Sequence, residues 1–242
     1  MKLSNKKIKY IKNHASKQTP KEIARDLHIS IKDVQRVLRQ LKGKSQNNRI
    51  LIPETRNDID SIYKFHLIVA FYIVILCIII YSNTLNSPFV FDDFPNIKKN
   101  PYFRLIEPDL QKLYDAGFKS PNPNRPVANI SFALTYYFGK YDVKGYHVVN
   151  ITIHIINGIL VYLLALIIFQ HAANLPNQKT PQLKGVSFPL ISFFTALIFI
   201  SHPVQTQSVT YIVQRMNSMS AMFYLMSLLL YINGRLTRVK WK

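Results

Sequence analysis

From Phe65 to about Tyr81 nearly every residue is apolar, and three more apolar segments follow at about 146–169, 186–202 and 215–232. With the flanking Tyr63, the first run is as long as the roughly 20 residues a helix needs to cross a bilayer, and water offers such a run no stable surface. It lies too far from the amino terminus for a cleaved leader, and no small-x-small site follows it, so it reads as a signal anchor. The expected class is therefore all-α: a polytopic membrane helix bundle with about four spans, at 63–82, 146–169, 186–202 and 215–232. The single cysteine, Cys77, sits inside the first run, which excludes a disulfide framework or a thiolate metal site.

Charge orients the bundle. The net charge is +19, and all twelve acidic residues lie at or before Asp142. The first sixty-four residues hold sixteen Lys and Arg; the loop after the second run holds Lys179 and Lys184, and the tail holds Arg235, Arg238, Lys240 and Lys242. Positive residues stay cytoplasmic, so both termini are expected there, and the loop 83–145 is expected outside.

Residues 1–42 form a basic segment of their own. Thr19-Pro20-Lys21-Glu22 combines an N-cap, a proline at the first helical position and a glutamate three residues after the cap, so a helix should start there. Ile23, Ala24 and Leu27 give it an apolar face, His28-Ile29-Ser30 break it, and Val34, Val37, Leu38 and Leu41 mark a second helix. The pattern resembles a helix-turn-helix with His28 in place of the usual turn glycine. Lys32, Gln35, Arg36 and Arg39 would face duplex DNA. A basic hairpin holding the cytoplasmic surface or a partner is the plainer alternative. Residues 43–62 read as a polar linker to the membrane domain, 63–242.

The outer loop opens on adjacent carboxylates, Asp92 and Asp93, just past the first span. Leu110, Leu113 and Tyr114 mark a short helix, and Val127 to Phe138 is an apolar stretch too short to span but suited to the interface. In the second span His147, Asn150, His154 and Asn157 step by three, four and three, placing four polar groups on one face. Such a face should look into the bundle or a water-filled cavity, either to join helices or to do chemistry. Gln207, Thr210, Gln214 and Asn217 repeat the spacing after His202-Pro203, and Arg215, the one charge between Lys184 and Arg235, calls for an anion: a structural carboxylate or a bound phosphate.

The motifs occur in a telling order: Asn86-Ser87-Pro88-Phe89-Val90-Phe91-Asp92-Asp93 with Asn100-Pro101, Asn124-Arg125-Pro126 with Ser131-Phe132, Tyr146-His147-x-x-Asn150 with His154, and His202-Pro203-Val204-Gln205-Thr206-Gln207 with Arg215. Together they resemble the N-terminal part of the transmembrane and tetratricopeptide-repeat O-mannosyltransferases and their bacterial relatives, enzymes of the GT-C fold. The resemblance implies sugar transfer from a polyprenyl-phosphate carrier to a hydroxyl of a protein or glycan on the outer face.

On that reading Asp92 or Asp93 is the general base, since neighbouring acids repel and one pKa moves upward. Arg125, His147, His202 or Arg215 would receive the leaving lipid phosphate. Family members commonly carry an acid where this chain has Gln207, which argues against a metal or second base there; no metal ligands are assigned, the lipid-linked sugar is the implied donor, and dependence on a divalent metal stays open. No 34-residue helical repeat is visible, so the chain is expected to be a fragment or one part of a split transferase, completed by the remainder. The alternative is a membrane-tethered DNA-binding regulator. A transporter would use similar polar stripes but should show matched internal repeats.

Overall fold

A computed structural model describes residues 10–11, 19–46, 56–107, 109–173 and 187–236. Most of the lysine-rich segment, the middle of the linker, Lys179, Lys184, the basic residues beyond 236 and the side chains of Arg39 and Leu41 lie outside the described residues. The chain divides into two units, Met1–Asp60 and Ser61–Lys242. Among the described residues all regular structure is helical.

In the first unit, α1 (Pro20–Asp26) begins at a complete capping box. The Glu22 carboxylate accepts the Thr19 N–H at 2.7 Å, and the Thr19 hydroxyl accepts the Glu22 N–H at 3.4 Å, so two amides that lack helical partners are satisfied. The helix ends in a Schellman arrangement: His28 N–H bonds to the Arg25 carbonyl and Ile29 N–H to the Ala24 carbonyl. His28 takes the left-handed position at φ 48° that glycine usually fills. After four intervening residues α2 (Ile31–Gln46) starts, and it continues through Gly43. Ile11, Ile23, Ala24, Val34 and Val37 are buried together, with Leu27, Ile29 and Leu38 around them.

The second unit holds most of α3 (Arg56–Tyr81), then α4 (Leu110–Phe118), α5 (Pro126–Gly139), α6 (Val143–Ala173), α7 (Phe188–Ser201), α8 (Gln205–Thr210) and α9 (Arg215–Leu236). Two segments are long and apolar enough to cross a membrane, Tyr63–Asn86 and Val143–Ala173, where about four were expected. Length defeats the third run: the 14 residues of α7 reach about 21 Å, short of the roughly 30 Å hydrocarbon layer. Composition defeats the fourth, because α9 starts on Arg215 and interrupts its apolar residues with Asn217, Ser218, Ser220, Ser227 and Asn233.

The unit has two main cores. In the first, here the span core, Val69, Ile73 and Cys77 of α3 meet Tyr162 and Leu166 of α6 and Ala196 and Ile200 of α7. Gly158 lets these helices close: a Cβ there would stand 2.6 Å from Ile200 Cγ2 and 3.3 Å from Ile73 Cγ2. In the second, the loop core, Phe89, Ile97, Phe103 and Leu105 pack with Ala128, Phe132 and Ala133 of α5, with Tyr146, and with Ile212, Val213 and Met216. The Val127–Phe138 stretch thus becomes α5, which buries Ala128, Asn129, Phe132, Ala133 and Thr135 and leaves Val127, Leu134 and Phe138 exposed.

Candidate functional site

The two adjacent carboxylates occupy opposite environments. Asp93 is wholly buried; one oxygen accepts the Val90 N–H at 3.0 Å and the other the Val213 N–H at 2.8 Å. Its carboxyl therefore ties the loop after α3 to the segment between α8 and α9, 120 residues away. Burial pushes its pKa up, while the two amides and nearby His147 pull it back and the charge of Asp92 adds only the last push. Desolvation, rather than repulsion between neighbouring acids, dominates.

Asp92 sits at the turn tip. Phe91 before it is held at φ 42° and is 84% exposed, a conformation that a bulky side chain rarely adopts. The Asp92 backbone is fixed at both ends: its N–H donates to the Tyr211 hydroxyl at 2.8 Å, and its carbonyl accepts the Asn96 side-chain amide at 2.8 Å. The Asp92 side chain itself is exposed. One carboxylate anchors, and its neighbour is presented.

All four members of the polar stripe on α6 are buried. Each reaches a backbone carbonyl of a neighbouring segment, three of them where a helix stops or breaks and the fourth, Asn157, inside the first turn of α9. His147 Nε2 lies 2.9 Å from Ser87 O, His154 Nε2 lies 3.2 Å from Ile200 O, and Asn157 donates to Ser218 O at 3.1 Å. Asn150 donates to Val209 O at 3.2 Å and Ile212 O at 3.3 Å, on either side of the break after α8. Carbonyls freed by a broken helix need donors when buried, and this face supplies them. His147 Nδ1 and Asn157 Oδ1 are buried with no protein partner.

Arg215 is buried completely, with no carboxylate among its partners. Its Nε–H donates to Asn150 Oδ1 at 2.9 Å, Nη1 to Thr135 Oγ1 at 3.0 Å and Ser131 Oγ at 3.3 Å, and Nη2 to the Tyr146 carbonyl at 3.0 Å. Both hydroxyls spend their own protons on helical carbonyls, Ser131 on Ala128 and Thr135 on Ser131, which leaves oxygen lone pairs facing the guanidinium. The faces of Phe132 and Tyr146 lie 4.3 and 5.6 Å from its central carbon. The expected anion is thus replaced by neutral oxygens and ring faces. Ser131 and Thr135, one turn apart on α5, were the signal in the sequence that this partner set existed.

Arg125 differs from Arg215. It is exposed at the start of α5, and its Nη1 donates to Asn217 Oδ1, while Asn217 donates to Gln214. Beside it lies an open cleft of about 150 Å³ whose lining includes Val127, Met216, Met219, Ser220 and Phe223. An apolar cleft with one cation at its edge suits an anionic headgroup carrying a hydrocarbon chain. The segment Tyr211–Asn217 contacts each of the three in turn: Asp92 through Tyr211, Asp93 through Val213 and Arg125 through Asn217. It also carries Arg215, whose partner Asn150 is one turn from His147. His202 and Gln207 are exposed, and His202 Nδ1 is engaged by the Val204 N–H at 3.2 Å. Among the described residues, no three His, Cys, Asp or Glu side chains gather as a metal site.

The chain is similar to a protein O-mannosyl-transferase of Caenorhabditis elegans, 30% identical over 171 residues that make up 67% of this chain and 23% of the relative. It is 29% identical over 171 residues to the protein O-mannosyl-transferase tmtc2 of Xenopus laevis, and 31% identical over 172 to Tmtc1 of Drosophila melanogaster, covering 67% of this chain and 18% of each relative. The chain therefore spans about a fifth of the length of these relatives. No family profile matches the chain, and no solved structure matches it. Across two thirds of its length, this chain is a homologue of proteins named protein O-mannosyl-transferase.

Proposed function

We propose that this chain is part of a membrane O-mannosyltransferase of the GT-C fold, moving a sugar, mannose in the first instance, from a polyprenyl-phosphate donor to a protein or glycan hydroxyl. The observation that carries the reading is the split pair: Asp93 locked between two backbone amides, and Asp92 exposed and fixed beside it. In this mechanism the Asp92 carboxylate takes the proton of the acceptor hydroxyl as its oxygen bonds to the sugar C1. The bond from C1 to the phosphate oxygen breaks, and the polyprenyl phosphate leaves with the electron pair. Arg125 meets that phosphate, and the lipid lies along Met216, Met219 and Phe223. His202, exposed nearby in sequence to α8, is a second group for the phosphate. Arg215 and His147 act from inside, by fixing the segment that holds Asp92.

The two apolar segments support a membrane location. In this reading residues 83–145 face outward from a bacterial inner membrane, and both termini are cytoplasmic. The helices α7, α8 and α9 all contact α6, and the remainder of the transferase completes the site.

The test pairs donor binding by the purified chain with sugar transfer in membranes that hold it. Asp92→Asn should leave polyprenyl-phosphate-sugar binding intact and lower transfer about 100-fold or more. Arg125→Ala should weaken donor binding itself about tenfold. Transfer at the wild-type rate with Asp92→Asn would remove Asp92 from the base role.

A further inference from the structure

We propose that the amino-terminal unit is a site for duplex DNA, with Lys32, Gln35 and Arg36 of α2 reading bases in the major groove. This goes beyond the transferase reading and does not rest on it. Three observations converge. First, the fold is a helix pair whose apolar side is spent: Ile23, Ala24, Val34 and Val37 are enclosed with Ile11. A helix that lies in a lipid surface must offer an apolar stripe outward, and Val34 and Val37 of α2 are instead turned into this core.

Second, what α2 presents instead is polar. Lys32, Gln35 and Arg36 are all exposed and stand at i, i+3 and i+4 in its first turns. A glutamine side chain pairs with the adenine edge and an arginine with the guanine edge, and a single helix fits the major groove of B-form DNA, about 12 Å wide. The deep, narrow groove of double-stranded RNA does not admit it. The turn before α2 is fixed by the Schellman bonds and by His28, so the angle at which α2 leaves α1 is set before any ligand arrives.

Third, the charge is one-sided. Residues 1–50 hold fourteen Lys and Arg against Glu22, Asp26 and Asp33. Glu22 is occupied by the Thr19 amide, and Asp26 accepts the Tyr10 hydroxyl at 3.3 Å. Asp33 is the acid in the first turn of α2, next to Lys32, and it is half-buried. The remaining surplus of cations matches a phosphate backbone, which supplies affinity while the base contacts supply choice.

The experiment uses the full chain in nanodiscs of zwitterionic lipid. A random duplex library is selected on it, and binding of the selected duplex and of a scrambled duplex is followed by fluorescence anisotropy at several salt concentrations. The expected result is a preference of about tenfold or more for the selected duplex, with Gln35→Ala and Arg36→Ala each bringing its affinity close to that of the scrambled one. Both residues are exposed, so an unchanged helical circular dichroism spectrum checks that the variants fold. Equal affinity for the two duplexes would overturn the proposal. So would binding to vesicles of anionic phosphatidylglycerol that exceeds duplex binding and is unmoved by Gln35→Ala, an outcome that would assign the surface to lipid.

Discussion

The two halves of α6 solve the same packing problem by opposite means. Toward its end, the span core closes through shape: Gly158 removes a side chain, and Ile73 and Ile200 come within contact distance of its backbone. Toward its start, the loop core closes through polar satisfaction: His147 and Asn150 reach the carbonyls of broken segments, and Arg215 spreads its donors over Asn150, Thr135, Ser131 and Tyr146. Apolar packing is tolerant of repacking, whereas a buried polar network accepts one arrangement. The polar half is the one that meets the loop before Asp92 and Asp93 and the segment that returns to them.

The largest expected effect breaks this contrast if it fails. Arg215→Met leaves Asn150 Oδ1, Thr135 and the Tyr146 carbonyl buried without their donor and should cost about 3–5 kcal/mol. Arg215→Lys should recover little, because an ammonium cannot present the planar fork. Thermal unfolding in detergent measures both, and a loss for Arg215→Met below 1 kcal/mol would show that the network is dispensable. Next in size, Gly158→Ala places a Cβ against Ile200 and should cost about 1–3 kcal/mol. Ile200→Leu moves the obstructing methyl away from its Cβ, so the double variant Gly158→Ala/Ile200→Leu should recover part of that loss; strict additivity would refute a steric origin.

The smallest effect concerns pH. Because burial raises the Asp93 pKa, the folded state holds its proton to a higher pH than the unfolded chain does. Its contribution to stability is full below the unfolded value near 3.8, falls as pH rises through the raised folded value, and is level above it. Asp93→Asn removes this titration, and with it one of two accepted amide bonds, for about 1–2 kcal/mol. The wild-type advantage over the variant should therefore shrink as pH rises from 3.8 through the folded value, a trend that melting temperatures across a pH series would show.

Much of the local structure was legible in sequence. Thr19, Pro20 and Glu22 announce α1, and the three-four-three spacing of His147, Asn150, His154 and Asn157 announces a polar face that the structure buries. The span count was not legible, because hydropathy registers α7 and the interior of α9 as apolar runs without weighing that 14 helical residues fall short of the hydrocarbon layer or that Arg215 and the polar residues interrupt α9. Asp92 and Asp93 are chemically identical in the sequence, and only the return of residues 211–213 distinguishes them. Arg215 invited an acidic partner because charges are visible in a sequence and lone pairs freed by helical hydroxyls are not.

The completeness of the Arg215 enclosure also bears on biogenesis. Its acceptors come from α5 and α6, more than sixty residues earlier in the chain. While α9 is being synthesised, its first residue is a hydrated cation that gains nothing by leaving water until Ser131, Thr135, Tyr146 and Asn150 stand together. Burial of Arg215 therefore couples the packing of α9 to the contact between α5 and α6, because its acceptors are divided between those two helices.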